Sequence, residues 1–257
     1  MKKILALALA LIMIFALAAC DTTNNPGTTT TPSTPTFDPS AKSEGTMTYA
    51  EYAAADLDSE VVVECFVQAH QSWWDNKITV YAADPDGAYF MYEMTCPEAD
   101  KDKLVPGTKI KVTGYKAAYK GEVEIIDCTF EILEGNWIAE ATDVTALLAS
   151  ENLIDYQNRY MTIKGATIAA STDGDGNEAA FLYNWDGSGE PGNDLYFNIT
   201  VDGKTYNMCV ESYLCGKDTD VYKAVEALQI GDTIDLTGFL YWYDGVNPHI
   251  TSVTAAN

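Results

Sequence analysis

Basic and metal-binding side chains are scarce in this chain. Arg159 is its single arginine, and His70 and His249 are its only histidines in 257 residues. Against 38 Asp and Glu stand 15 Lys and Arg, a formal net charge of −23. Nucleic-acid affinity comes mainly from Lys and Arg neutralising phosphates, and a field of this sign repels a polyanion. Composition therefore argues against a nucleic-acid partner. Two histidines and no Cys-x-x-Cys give little support to a zinc or thiol-catalytic site, and no cofactor is implied. Also missing are Gly-x-Ser-x-Gly, a phosphate-cradling glycine loop and His-Glu-x-x-His. Glu122 and Glu124 stand two apart on an expected strand and read as exposed acids that protect an edge.

What is present begins at the N-terminus. Lys2 and Lys3 precede an unbroken apolar run over residues 4–16, which is shorter than the roughly 20 residues a spanning helix needs. Leu17-Ala18-Ala19-Cys20 completes the charged, apolar and small-residue zones of a secretory signal over residues 1–19. These four residues resemble the lipobox of bacterial lipoproteins. The resemblance implies cleavage before Cys20, a diacylglyceryl thioether on its sulfur and an acyl group on the new amine. It also implies export, and an address at the outer face of a bacterial membrane, held in the bilayer through Cys20. Cleavage would remove Lys2 and Lys3, taking −23 to −25 and leaving 13 Lys and Arg.

Residues 20–44 read as a tether. Thr28-Thr29-Thr30-Thr31-Pro32-Ser33-Thr34-Pro35-Thr36 offers almost nothing to bury, so it cannot offset its own ordering entropy. Cys65, Cys96, Cys128, Cys209 and Cys215 remain beyond Cys20, an odd number that leaves at least one unpaired within the chain. Cys209 with Cys215, or Cys65 with Cys128, are possible pairs. Burial as small apolar side chains is the alternative for most of them.

The body carries an internal repeat. At a constant offset of 124, Gly107 meets Gly231, Ile110 meets Ile234, Thr113-Gly114 meets Thr237-Gly238, and Tyr115 meets Phe239. The register runs on through Tyr119 with Tyr243, Gly121 with Gly245 and Ile126 with Ile250. Alternating and β-branched stretches predict strands over 60–70, 77–83, 88–95, 108–116 and 123–132, with a short helix over 97–104. The second copy reads as strands over 160–169, 179–185, 195–210, 233–240 and 249–254, a helix over 218–228, and an insertion over 184–194.

Three strands, a helix and two strands is the element order of the OB-fold, a small Greek-key barrel. The segments 107–114 and 231–238 resemble its glycine turn and fourth strand. The fold expected is mainly β, two tandem five-stranded OB-fold-like barrels over 45–134 and 135–257. In such barrels ligands meet strands two and three and the loops joining strands one to two and four to five. Trp73 and Trp74 fall in the first of these loops in copy one. Tyr241, Trp242 and Tyr243 fall in the second in copy two. Exposed rings flanked by Asp and Asn suit a sugar, whose C–H faces pack on the ring while hydroxyls take hydrogen bonds. Packing across strands is the competing use of the same rings. Asp173, Asp175 and Asn177 alternate like the start of a calcium loop, but Glu178 stands where such a loop wants glycine, so a turn is the better reading. The sequence thus points to a lipid-anchored, non-catalytic binding module with a glycan as preferred ligand. An envelope-protein contact is the alternative, and nucleic acid enters only through analogy with other OB domains.

Overall fold

The computed structural model describes residues 37–256. The expected signal segment, Cys20 and most of the tether lie outside the described residues. Residues 37–43, expected to belong to the tether, pack on the body instead. Phe37 meets the Phe66 ring edge-on at 6.0 Å, and Lys42 Nζ reaches Asp84 at 2.6 Å. Lys42 Nζ also donates to the Glu64 carbonyl at 2.6 Å, and Lys109 Nζ to that of Ala41 at 3.3 Å.

The first barrel follows a one-and-a-half-turn helix, α1 (Tyr49–Ala54), started by a reciprocal capping box between Thr48 and Glu51. Its strands are β1 (Glu60–His70), β2 (Lys77–Ala83), β3 (Ala88–Thr95), β4 (Thr108–Tyr119) and β5 (Glu122–Asn136). They close in the order β1-β2-β3-β5-β4, with β4 returning to β1. The second barrel uses β6 (Tyr160–Ala169), β7 (Leu195–Val201), β8 (Lys204–Val210), β9 (Thr233–Phe239) and β10 (His249–Ala255). It closes in the same order, because β7 pairs with both β6 and β8, and β9 joins β10 to β6. The helix α2 (Asp220–Glu226), capped by Thr219, buries Val221, Tyr222 and Val225 between β8 and β9 in the chain. Mainly β, two five-stranded OB-type barrels: the expected fold is the observed one.

The repeated glycines have a steric cause. A Cβ on Gly114 would lie 2.5 Å from Cys128 Cβ and 2.8 Å from the Ile126 carbonyl oxygen. On Gly238 it would overlap the His249 carbonyl oxygen. Both sit where the fourth strand shifts register against the fifth, so the barrel bends there only without a side chain.

Three expectations change in detail. The expected helix over 97–104 is a single 3-10 turn, Lys101–Lys103, because only Leu104 of its apolar residues is buried and no apolar face exists to dock. The expected strand over 195–210 is two strands, split by the turn at Asp202 and Gly203, which both take positive φ. The expected strand over 179–185 shrinks to Glu178–Ala179 and Leu182–Tyr183, so the whole of 170–194 serves as the loop between strands one and two of the second barrel.

Each barrel has its own core, and a third apolar cluster joins them. Tyr81 on β2 and Phe90 on β3 meet Phe239 at the end of β9, with Tyr160, Leu214 and Tyr241 around them. Each fully buried ring of this kind contributes on the order of 1.5–3 kcal/mol, so the junction is an extension of the cores. All five described cysteines are buried and free of disulfides. Burial pushes every one of their thiols up, which leaves them protonated and unreactive at neutral pH.

Candidate ligand-binding cleft

The loop between β1 and β2 is built by a two-residue turn. Trp74 and Lys77 pair across it through both backbone hydrogen bonds, 3.0 and 2.9 Å, while Asp75 and Asn76 take φ of 48° and 60°. Two consecutive positive φ values match the right-handed twist of the strands, and Asp and Asn are among the few residues that accept them. The turn splits the tryptophan pair. Trp73 is half-buried, its Nε1 donating to the Cys96 carbonyl at 2.8 Å and its ring lying 4.9 Å under Lys101 Nζ. Trp74 is thrown outward and is 71% exposed.

Beside Trp74 lies a cleft of about 540 Å³, within the size range of small-molecule sites. Tyr92 on β3, 46% exposed, lines it from the first barrel. Tyr213, 68% exposed, comes from the second. The loop carrying Tyr213 is docked by Ser72, whose N–H and hydroxyl both donate to the Tyr213 carbonyl, at 2.7 and 3.1 Å. From behind, the Glu211 carboxylate accepts the N–H groups of Tyr213 and Leu214 at 3.0 and 2.8 Å. Burial pushes the Glu211 carboxyl up to about 7 despite these bonds. The floor of the cleft carries Lys77 and Glu93, paired at 2.5 Å, with Gln71 and Thr79 alongside. Three exposed rings from two barrels thus face a shared polar floor.

The five aromatics singled out from the sequence fall in two places. Trp73 and Trp74 line the cleft. Tyr241 stacks on His249 at 4.2 Å and abuts Phe90, inside the junction. Trp242 packs against the second core, and its backbone N–H donates to Glu122 Oε2 at 3.0 Å. Tyr243, half-exposed, meets its repeat counterpart Tyr119 edge-on at 6.1 Å, while Asp244 pairs with Lys120 at 2.7 Å. The hairpin 241–247 is therefore joined to the first barrel. Tyr92, Glu93, Lys77 and Tyr213 were not visible as site residues in the sequence. Tyr213 reaches the cleft only through the docking of the barrels, which no local pattern encodes.

Two further expectations change here. Glu122 and Glu124, read as exposed edge acids, are both buried. Desolvation pushes Glu122 up to about 8 and raises Glu124 as well. Edge protection fails as a reading because the second barrel covers this end of β5. Asp173 spends its carboxylate on its own turn, accepting from the N–H groups of Asp175 and Asn177 and from Asn177 Nδ2. Among the described residues no cluster of His, Cys, Asp or Glu is arranged to hold a metal ion.

The sequence matches no family model and no curated protein. Solved structures similar to it include a murine DNA-binding protein bound with double-stranded DNA, at 12% identity and a TM-score of 0.34, covering 76% of this chain and 96% of that one. The p204 HINb domain is 13% identical with a TM-score of 0.34, covering 79% and 99%. The Ifi202 HINa domain in complex with a double-stranded DNA of 20 base pairs is 12% identical with a TM-score of 0.32, covering 77% and 100%. Strand order, not these distant likenesses, carries the fold. The reading of charge called a nucleic-acid partner unlikely, whereas two of these similar structures hold double-stranded DNA.

Proposed function

We propose that this chain is an exported bacterial lipoprotein, anchored through Cys20, whose paired OB barrels act as a non-catalytic module binding an oligosaccharide. The observation that carries the reading is the convergence of Trp74, Tyr92 and Tyr213 on one cleft with Lys77 and Glu93 in its floor. Exposed apolar side chains gathered in one patch mark interaction sites, and three of the exposed rings gather here. Rings offer stacking faces to sugar C–H groups, and the ion pair, Gln71 and Thr79 offer hydrogen bonds to hydroxyls. The lipobox and the Thr/Pro-rich tether support the surface address.

A nucleic-acid strand is the second reading, since the same rings can stack bases. One titration separates the two. The purified full-length chain is titrated with neutral and acidic oligosaccharides and with single- and double-stranded DNA, alongside Trp74→Ala and Tyr213→Ala. The glycan reading requires saturable sugar binding weakened at least tenfold in both variants. Binding of DNA alone, lost in the same variants, would transfer the cleft to the second reading.

A further inference from the structure

Strand β3 breaks its own alternation inside the cleft. Ile78 pairs with Met94 and Val80 with Met91, so Tyr92 and Glu93 together oppose the single residue Thr79. Regular pleating would send two consecutive residues to opposite faces; the bulge brings both to the cleft. Its cost is visible in the backbone. Glu93 sits at φ 48°, a left-handed conformation that glycine and asparagine adopt readily and glutamate does not. The Thr79 hydroxyl holds it there by accepting the Glu93 N–H at 3.1 Å. Asp127 takes the same conformation, φ 47°, at the register shift of β4 against β5, so a barrel bend accounts for the backbone but not for a carboxylate lining the cleft at this position. The half-exposed Lys77–Glu93 pair does not account for it either, because such surface pairs contribute little to stability.

On this basis, and resting on the oligosaccharide reading above, we propose that Glu93 is the specificity-determining residue of the cleft, and that it selects an uncharged sugar presenting adjacent hydroxyls. A carboxylate is acceptor-only, and its two oxygens match the spacing of a pair of neighbouring O–H donors. Lys77 occupies one side of Oε2 and has two further N–H donors to give to sugar oxygens. Trp74, Tyr92 and Tyr213 supply the apolar faces on which the pyranose C–H groups pack. A uronic acid or sulfated sugar would bring its own anion to the Glu93 carboxylate and be repelled.

The deciding variant is Glu93→Asn. Asparagine suits the positive φ, so the substitution relieves backbone strain while withdrawing the carboxylate. In the full-length chain it raises the thermal midpoint, weakens binding of the neutral oligosaccharide at least tenfold, and narrows the preference for neutral over uronic oligomers. Glu93→Gln, isosteric and without the charge, follows it in affinity and preference. Neutral-sugar binding within twofold of the parent in both variants, with Trp74→Ala still abolishing it, overturns the assignment of Glu93 and leaves the cleft standing. Failure of the parent chain to bind any sugar, or indifference to Trp74→Ala, overturns the oligosaccharide reading and this inference with it.

Discussion

The Tyr81 hydroxyl of the first barrel and Nδ1 of His249 in the second share a hydrogen bond of 2.6 Å, with both side chains buried. Burial pushes the His249 imidazole down to about 3 and the Tyr81 phenol well above its usual value, so the pair is a neutral donor on a neutral acceptor across the physiological range. Phe239 stacks on Tyr81 at 4.5 Å and Tyr241 on His249 at 4.2 Å. This bond and its aromatic sleeve lie in the apolar junction that joins the two barrels.

Tyr81→Phe keeps the ring and removes the hydroxyl, leaving a buried imidazole nitrogen unpaired. Unfolding free energy falls by about 1–3 kcal/mol in denaturant melts. His249→Ala also opens a void in the junction and costs more. A ligand that needs both barrels binds more weakly to Tyr81→Phe even at temperatures where the chain is fully folded.

Stability declines as pH rises from about 6.5 to about 8. The folded protein holds the Glu122 proton up to about 8, whereas the unfolded chain releases it near 4.5. Between those values the native state binds the extra proton, so its contribution is complete below the unfolded value and lost above the folded one. Glu211, pushed up to about 7, acts in the same direction over a shorter window. His249, held near 3 when folded against an ordinary 6.5, acts in the opposite direction below about 6.5, so the carboxyls are read above it. Thermal midpoints at pH 6.5, 7, 7.5 and 8.5 should fall monotonically, and Glu122→Gln should flatten that slope. A midpoint rising from pH 6.5 to 8.5 contradicts the burial of Glu122.

Two glycines of the second barrel's fourth-strand segment respond unequally to substitution. Gly238→Ala forces a Cβ onto the His249 backbone beside the junction and costs more than about 2 kcal/mol. Gly231, at φ 96° with open space around it, tolerates asparagine with a loss below about 1 kcal/mol. Urea denaturation of the two variants distinguishes steric from conformational need.

The repeat made the fold legible. Gly107 with Gly231 and Gly114 with Gly238 marked turn and bend: the first pair takes positive φ, and the second stands where a Cβ would clash. The pairing of strands one, four and five follows from those marks. The site was less legible, because its parts are set by relations that no period in the sequence carries. The bulge that turns Tyr92 and Glu93 to one face leaves no mark in the near-continuous apolar run of β3. Tyr213 is a loop residue until Ser72 of the other barrel docks it. Tyr241 and Trp242 looked like Trp74 in composition, yet the partner barrel covers them while the turn at Asp75 and Asn76 leaves Trp74 free.

Hydrogen–deuterium exchange of the full-length chain, with and without a saturating neutral oligosaccharide, tests the central claim most directly. The account predicts protection in three separate segments, 71–79, 91–95 and 211–215, with the hairpin 241–247 unchanged. Protection confined to 241–247, or no protection with any sugar in the panel, contradicts it.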